Sequence, residues 1–160
     1  MSRTAEEFIA LLGLAPHPEG GWFRFCGRSG AALPEGGGLR DSCSHIYYLL
    51  RREEISRWHR LEPAEVWTWH AGGSLEMTLG GAGALPRAGR TLALGPRLEL
   101  GEELSILAPP GQWQTTRVTQ GEFALVSCVV APAYDDADCL LPPEPLANEI
   151  YPGEGKTNGA

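Results

Sequence analysis

The chain has 160 residues, of which 42% are hydrophobic and 21% are charged, and its formal net charge is -7. This balance is typical of one globular domain with its own core, and the negative charge argues against a nucleic-acid-binding surface, which needs a basic face. No apolar run approaches the roughly 20 residues of a membrane helix, and the first residues lack the apolar segment of a signal peptide, so we expect a cytoplasmic protein that contacts no membrane.

The first predicted element is a short amphipathic α-helix. Thr4 and Glu7 have the spacing of a capping box, apolar residues follow at helical spacing, and Gly13 is a suitable end. The next segment is too rich in proline and glycine for a helix, but "WFRFC" at 22–26 has the pattern of a strand. The sequence "AALPEGGG" at 31–38 is predicted to be a loop.

From Asp41 onward, the sequence consists of short apolar segments separated by turn signals. Eight of them have strand length and are rich in β-branched and aromatic residues: "SHIYYLL", "EISRWHRL", "EVWTWHA", "SLEMTL", "RTLALG", "ELSILAP", "WQTTRVT" and "EFALVSCVVA". Because no helical pattern intervenes, they predict an antiparallel sandwich or barrel. We expect one domain over residues 1–142 and a loosely ordered tail over residues 143–160.

The four cysteines are far apart and form no CxxC pair: Cys26, Cys43, Cys128 and Cys139. Paired spacing is the usual mark of a zinc site, so these cysteines do not predict one. In a reducing compartment we expect free thiols, mostly buried as small apolar groups.

The strongest candidate site lies in "SRWHRLEPAEVWTWHAGG" at 56–73. His59 and Glu65 are six residues apart, and Pro63 makes a turn between two hairpin strands plausible, so that both side chains face one cavity. A carboxylate beside an imidazole orients it and raises its basicity, and histidine titrates near physiological pH. The pair therefore fits general acid/base chemistry. The alternative is that His59 is a structural histidine, held by hydrogen bonds inside the barrel, as expected for a histidine outside such a motif.

The spacing around His59 resembles the first motif of the cupin superfamily. That motif is a His, any residue, a second His, three or four residues, a Glu, six residues and a Gly. His59, Glu65 and Gly72 match it, while Leu61 stands in the place of the second histidine.

The second cupin motif is a Pro, any residue, a Gly, two residues and a His. Pro109 and Gly111 match, and Gln114 replaces the histidine. The blocks "HPEGGWFR", "SRWHR", "EVWTWHAG", "PPGQWQ" and "ALVSCVVAPAYDDAD" resemble, more narrowly, the small cupins called cupin 5 or domain of unknown function 985. The match covers roughly residues 5–140.

This resemblance implies an all-β jelly-roll barrel or sandwich with a short N-terminal α-helix, usually a homodimer, and a small-molecule pocket inside the barrel. The family carries the label of sugar epimerase or isomerase by analogy of fold. The leading interpretation is an isomerase or epimerase acting on a carbohydrate-like or polar carbonyl substrate, with no required cofactor. His59 would be the acid or base and Glu65 its partner. The further side chains expected to contact the substrate are Gln114, Arg24, Glu19, Trp67 and Tyr47.

Two alternatives stay open at this stage. One is a cupin that binds a ligand without catalysis. The other is a metal-dependent lyase, hydrolase or oxygenase in which His59, Glu65 and Gln114 hold a divalent transition metal. Leu61 cannot ligate, so two strong ligands and one amide would form a weak site. His70 does not replace the missing ligand, because strand alternation points it to the face opposite Glu65.

Overall fold

A computed structural model describes residues 3–35 and 38–143. In chain order, the helix and strands are α1 (Ala5–Leu12), β1 (Ala15–Pro16), β2 (Trp22–Arg28), β3 (Ala32–Glu35), β4 (Gly38–Asp41), β5 (Ser44–Arg51), β6 (Ile55–Leu61), β7 (Ala64–Gly72), β8 (Leu75–Leu79), β9 (Thr91–Leu94), β10 (Ser105–Ala108), β11 (Trp113–Val118), β12 (Phe123–Ala131) and β13 (Cys139–Leu140). The larger sheet has the order β1-β2-β5-β12-β7-β10, and the smaller one has the order β13-β6-β11-β8-β9. The two antiparallel sheets pack as a sandwich, which confirms the predicted fold class.

Helix α1 begins and ends as its sequence predicts. The hydroxyl of Thr4 accepts a hydrogen bond from the backbone N–H of Glu7 at 3.3 Å, and the Glu7 carboxylate accepts one from the N–H of Thr4 at 2.7 Å. Gly13 ends the helix at φ 63°, where a residue without a side chain is favoured. The apolar stripe packs on the outer face of the larger sheet, against Leu49 and Leu125.

All eight predicted strand segments form strands, but the predicted loop "AALPEGGG" does not remain a loop. Strand β3 lies within it and pairs with β4, which begins at its last residue, as a separate two-stranded sheet. Arg40 in β4 donates hydrogen bonds to the carbonyl of Ala133 and pairs with Asp138 at 2.5 Å. Because these contacts join residues far apart in the sequence, the local glycine- and proline-rich composition does not predict the two strands.

Strands β6 and β7 do not pair with each other, so the hairpin predicted to carry His59 and Glu65 is wrong. The turn between them crosses from the smaller sheet to the larger one. The two strands therefore face each other across the sandwich, and side chains that alternate inward from both meet between the sheets. His59 and Glu65 still face one cavity, as predicted, but they reach it from opposite sheets rather than from one hairpin.

Large apolar side chains fill only part of the space between the sheets. The main core consists of Tyr48, Leu50, Trp67, Leu75, Met77, Leu79, Leu94, Ile106, Ala108, Val118, Ala124, Val126 and Cys128. Towards β2 and β13, the inward positions carry the polar side chains of Ser44, His59 and Glu65, and a cavity remains there.

No helix in the described parts of the chain is long and apolar enough to span a membrane. The four cysteines are free thiols, as predicted. Only Cys128 is buried, however, while Cys26 is exposed and the other two are half-buried. The tail predicted from residue 143 lies, beyond that first residue, outside the described residues.

Candidate functional site

The cavity between the sheets has a volume of about 460 Å³, which is within the usual range for small-molecule sites. Strands β2, β5, β6, β7 and β12 form its walls, together with the segment that follows β12. Its lining consists of His17, Pro18, Glu19, Phe23, Phe25, Arg28, Ser44, Ile46, His59, Leu61, Glu65, Cys128, Val130, Tyr134, Asp136, Cys139 and Leu141.

Three of the predicted site residues meet beside this cavity. His59 in β6 and Gln114 in β11 are direct register partners, so their side chains share one face, and Gln114 Nε2 lies 3.0 Å from His59 Nε2. Glu65 comes from the facing sheet, and its Oε2 accepts a hydrogen bond from Gln114 Nε2 at 2.7 Å. All three residues are buried. One amide therefore bridges the histidine and the carboxylate.

The hydrogen-bond partners indicate which ring nitrogen of His59 carries a proton and how the Gln114 amide is oriented. His59 Nδ1 lies 2.8 Å from the carbonyl oxygen of Arg57, which can only accept, so Nδ1 carries the proton. In the neutral ring, Nε2 then accepts from one N–H of Gln114, and the other N–H goes to Glu65. This orientation leaves Gln114 Oε1 buried without a hydrogen-bond partner among the described residues.

A second carboxylate approaches His59 from the loop between β1 and β2. Glu19 Oε2 lies 3.3 Å from His59 Nδ1, and its Oε1 accepts from the thiol of Cys139 at 3.3 Å. The backbone N–H of Glu19 donates to His17 Nδ1 at 3.1 Å. Glu19 is thus the carboxylate that contacts the imidazole directly, while Glu65 is linked to it through Gln114.

The loop that carries Glu19 is fixed by its backbone. The Tyr48 hydroxyl donates to the carbonyl of Gly20 at 2.6 Å, and the N–H of Arg57 donates to the carbonyl of Glu19 at 2.9 Å. Gly20 has φ 106°, and a Cβ there would lie 2.1 Å from the carbonyl oxygen of Ile55. Only glycine fits this close approach without moving the backbone.

We expect Gly20→Ala to lower the free energy of unfolding by about 2–3 kcal/mol, since it combines left-handed strain with a backbone clash. Gly30→Ala is the matched control, because Gly30 has φ 69° but open space around it. That change should cost only about 1 kcal/mol. Urea denaturation of both variants measures the difference, and equal losses would contradict the close packing of this loop.

Burial shifts the ionisation of the groups around the cavity. It raises the pKa of the Glu65 carboxyl, against the opposing influence of the nearby His59. It lowers the pKa of His17. Burial, together with the charge of Glu19, raises the pKa of the Cys139 thiol to about 12. Each of these shifts favours the uncharged form.

Two predicted substrate contacts lie outside the cavity. Arg24 donates to the carbonyl of Leu12 at 2.8 Å, and its guanidinium lies over the ring of Tyr47 at 5.3 Å. The two residues are register partners on the outer face of the larger sheet. Because side chains alternate along β5, Tyr48 is the tyrosine that points inward. We therefore correct the placement predicted for Arg24 and Tyr47.

Trp67 and His70 occupy the faces that strand alternation assigns to them. Trp67 shares the inward face with Glu65, but it is buried in the main core, edge-on to Tyr48 at 5.5 Å, and does not line the cavity. His70 is exposed on the outer face, 5.9 Å from the ring of Tyr47.

Several residues that line the cavity are not among those predicted from the sequence. Alternation along β2 places Phe23 and Phe25 opposite Arg24, and this signal was available in the sequence. Arg28 reaches the cavity because the pairing of β2 with β5 shifts register after Phe25, and such bulges leave no clear mark in a sequence. Tyr134 lies between β12 and the short 3₁₀ turn at Asp136–Asp138, outside every predicted strand.

The donor set does not fit a resident transition metal of the usual cupin kind. Leu61, in the place of the second histidine, lines the cavity and cannot ligate. Gln114 turns its N–H groups, which are not ligands, toward His59 and Glu65. Among the described residues, no three or more His, Cys, Asp or Glu side chains are grouped to hold a metal ion.

Two antiparallel sheets around a ligand-sized cavity define a small jelly-roll protein of the cupin class. The family model Cupin_5, described as "Cupin superfamily (DUF985)", matches residues 6–141, and the chain belongs to this family. The predicted family is thereby confirmed. No curated protein matches the chain.

Solved structures agree with this assignment. A hypothetical protein from Leishmania major is 33% identical, with a TM-score of 0.79 and coverage of 87% of both chains. A protein from Shewanella oneidensis is 36% identical, with a TM-score of 0.78 and coverage of 87% of this chain and 84% of that one. An oxalate decarboxylase structure is 13% identical, with a TM-score of 0.54 over 81% of this chain and 30% of that chain, and it supports the fold alone.

Proposed function

We propose that this protein is a cytoplasmic, homodimeric enzyme of isomerase or epimerase type that moves a proton within a carbohydrate-like or other polar carbonyl substrate. The observation that carries the proposal is the pair of proton-carrying groups, His59 and Glu65, joined by Gln114 beside one ligand-sized cavity. The four free thiols suit a reducing compartment.

The chemistry needs one group to take a proton from the carbon next to the carbonyl and one to return it. The bond from carbon to hydrogen breaks, its electron pair forms an enolate, and reprotonation at the same or the neighbouring carbon gives the epimer or isomer. Glu65, whose pKa burial raises, suits proton transfer nearer neutral pH than an ordinary carboxyl. His59 supplies the second group, with Glu19 at its Nδ1.

A ligand-binding protein without catalysis is the second candidate. The apolar walls of the cavity favour it: Phe23, Phe25, Ile46, Leu61, Val130 and Leu141. Such walls bind the body of a ligand whether or not a reaction follows. The two candidates differ in what happens to a bound compound in heavy water.

The test is incubation in D₂O with free sugars, hydroxyketones, sugar nucleotides and keto acids, followed by proton NMR. We expect at least one compound to lose the signal of the hydrogen next to its carbonyl, at a rate proportional to protein concentration. A compound that binds but keeps this hydrogen, with no other compound exchanging, would favour the binding protein.

A further inference from the structure

The charged groups of the cavity are distributed unevenly between its inner end and its mouth. At the inner end, Glu65 is 6% exposed and the Glu19 side chain 14% exposed. At the mouth, Arg28 and Asp136 are both exposed. Within the described residues, Arg28 is the one lysine or arginine that lines the cavity. No lysine or arginine among the described lining residues therefore accompanies the two carboxylates at the inner end.

The two histidines of the inner end do not offset both carboxylates. His59 donates from Nδ1 to the carbonyl of Arg57 and lies 3.3 Å from Glu19, so it faces only one of the two carboxylates directly. His17 Nδ1 accepts from the N–H of Glu19, which requires an unprotonated nitrogen. Burial and the charges of Glu65 and Glu19 together raise the pKa of Cys128 beside them, as expected where further negative charge is disfavoured.

The walls between the inner end and the mouth are apolar and partly aromatic. Phe23 and Phe25 project inward from β2, and Ile46 and Val130 come from β5 and β12. Aromatic faces suit the carbon–hydrogen faces of a sugar ring or a short carbon chain. They offer no compensation for a buried charge.

We infer that the cavity takes small uncharged hydroxycarbonyl compounds, such as free sugars, and excludes carboxylate and phosphate groups from its inner end. The inference rests on the proposed function and names the substrate class of that same site. The physical reason is that an anion next to Glu19 and Glu65 is repelled in a poorly solvated space, where charge interactions are stronger than in water.

The first experiment compares matched compounds that differ only in a carboxylate beside the carbonyl. The pairs are hydroxyacetone with pyruvate, dihydroxyacetone with hydroxypyruvate, and fructose with 2-ketogluconate, each titrated by ligand-observed NMR. We expect the neutral member of at least one pair to bind at least about tenfold more tightly than its partner. Equal or tighter binding of the anionic members, or no binding by any neutral member, would overturn the inference.

The second experiment removes one negative charge from each end of the cavity. Glu19→Gln should raise the affinity of the anionic member about tenfold and change that of the neutral member little. Asp136→Asn makes the same charge change at the exposed mouth, where water and salt screen it, and should alter both affinities less than twofold. Similar responses to the two variants would place the selection elsewhere and contradict the inference.

The outcomes separate this inference from the proposed function. Neutral compounds that bind preferentially but exchange no hydrogen would support the substrate class and contradict the reaction. Exchange confined to the anionic compounds would support the reaction and contradict the substrate class.

Discussion

Replacing His59 with alanine should lower the rate of hydrogen exchange from solvent into the substrate by about 10²–10⁴-fold. In the proposed reaction the imidazole is one of two groups that carry the proton, and no second histidine contacts Gln114 among the described residues. The rate is measured by proton NMR in D₂O, on the compound that exchanges fastest with the wild-type protein. The variant should remain folded, because its neighbours Arg57 and Glu19 are also held by backbone hydrogen bonds.

His70→Ala is the matched control for this prediction. It removes the same side chain from the outer face of the larger sheet, where it is exposed, and it should leave the exchange rate unchanged. If both variants lost the same activity, or if His59→Ala unfolded at a much lower temperature, His59 would be a structural histidine.

Replacing Glu65 with glutamine should have two opposite effects: loss of exchange activity and gain of stability at neutral pH. Burial raises the pKa of Glu65, so the native protein binds this proton more tightly than the unfolded chain does. Stability is therefore lost as the pH rises from 4.5, the ordinary value, through the raised pKa. Glutamine cannot ionise, and its oxygen still accepts from Gln114. The melting temperature of Glu65→Gln should match that of the wild type in acid and exceed it by a few degrees at neutral pH.

Urea denaturation over a series of pH values measures this effect directly. Glu122→Gln is the control, since it removes the same charge from an exposed side chain and should leave the melting temperature at neutral pH unchanged. A Glu65→Gln protein that is less stable than the wild type at neutral pH would show that the carboxylate stabilises the fold, and it would contradict the proposed role. The expected result is the trade-off between stability and activity found at functional sites.

The fold could be predicted because its signals are local. Alternating apolar residues and turn residues define each strand, and Thr4 with Glu7 defines the start of the helix. The grouping of His59, Glu65 and Gln114 could also be predicted, because the motif spacing places each one near the start or end of a strand.

The outer contacts of β5 show why other site residues could not be predicted. Helix α1 covers the outer face of the larger sheet, so β5 is apolar on both faces, and composition does not reveal which of Tyr47 and Tyr48 points inward. Arg28 reaches the cavity through a register shift, and Tyr134 reaches it from a turn. Both placements depend on contacts between residues far apart in the sequence.

We propose that His59, Gln114 and Glu65 form a hydrogen-bonded site for protons rather than a metal centre. The same side chains could ligate a metal only if the Gln114 amide turned its oxygen toward the other two. Elemental analysis of wild-type protein and His59→Ala, both purified without an affinity metal column, decides between these orientations. We expect no stoichiometric metal in either sample. Near-stoichiometric metal in the wild type, lost in His59→Ala, would contradict the claim.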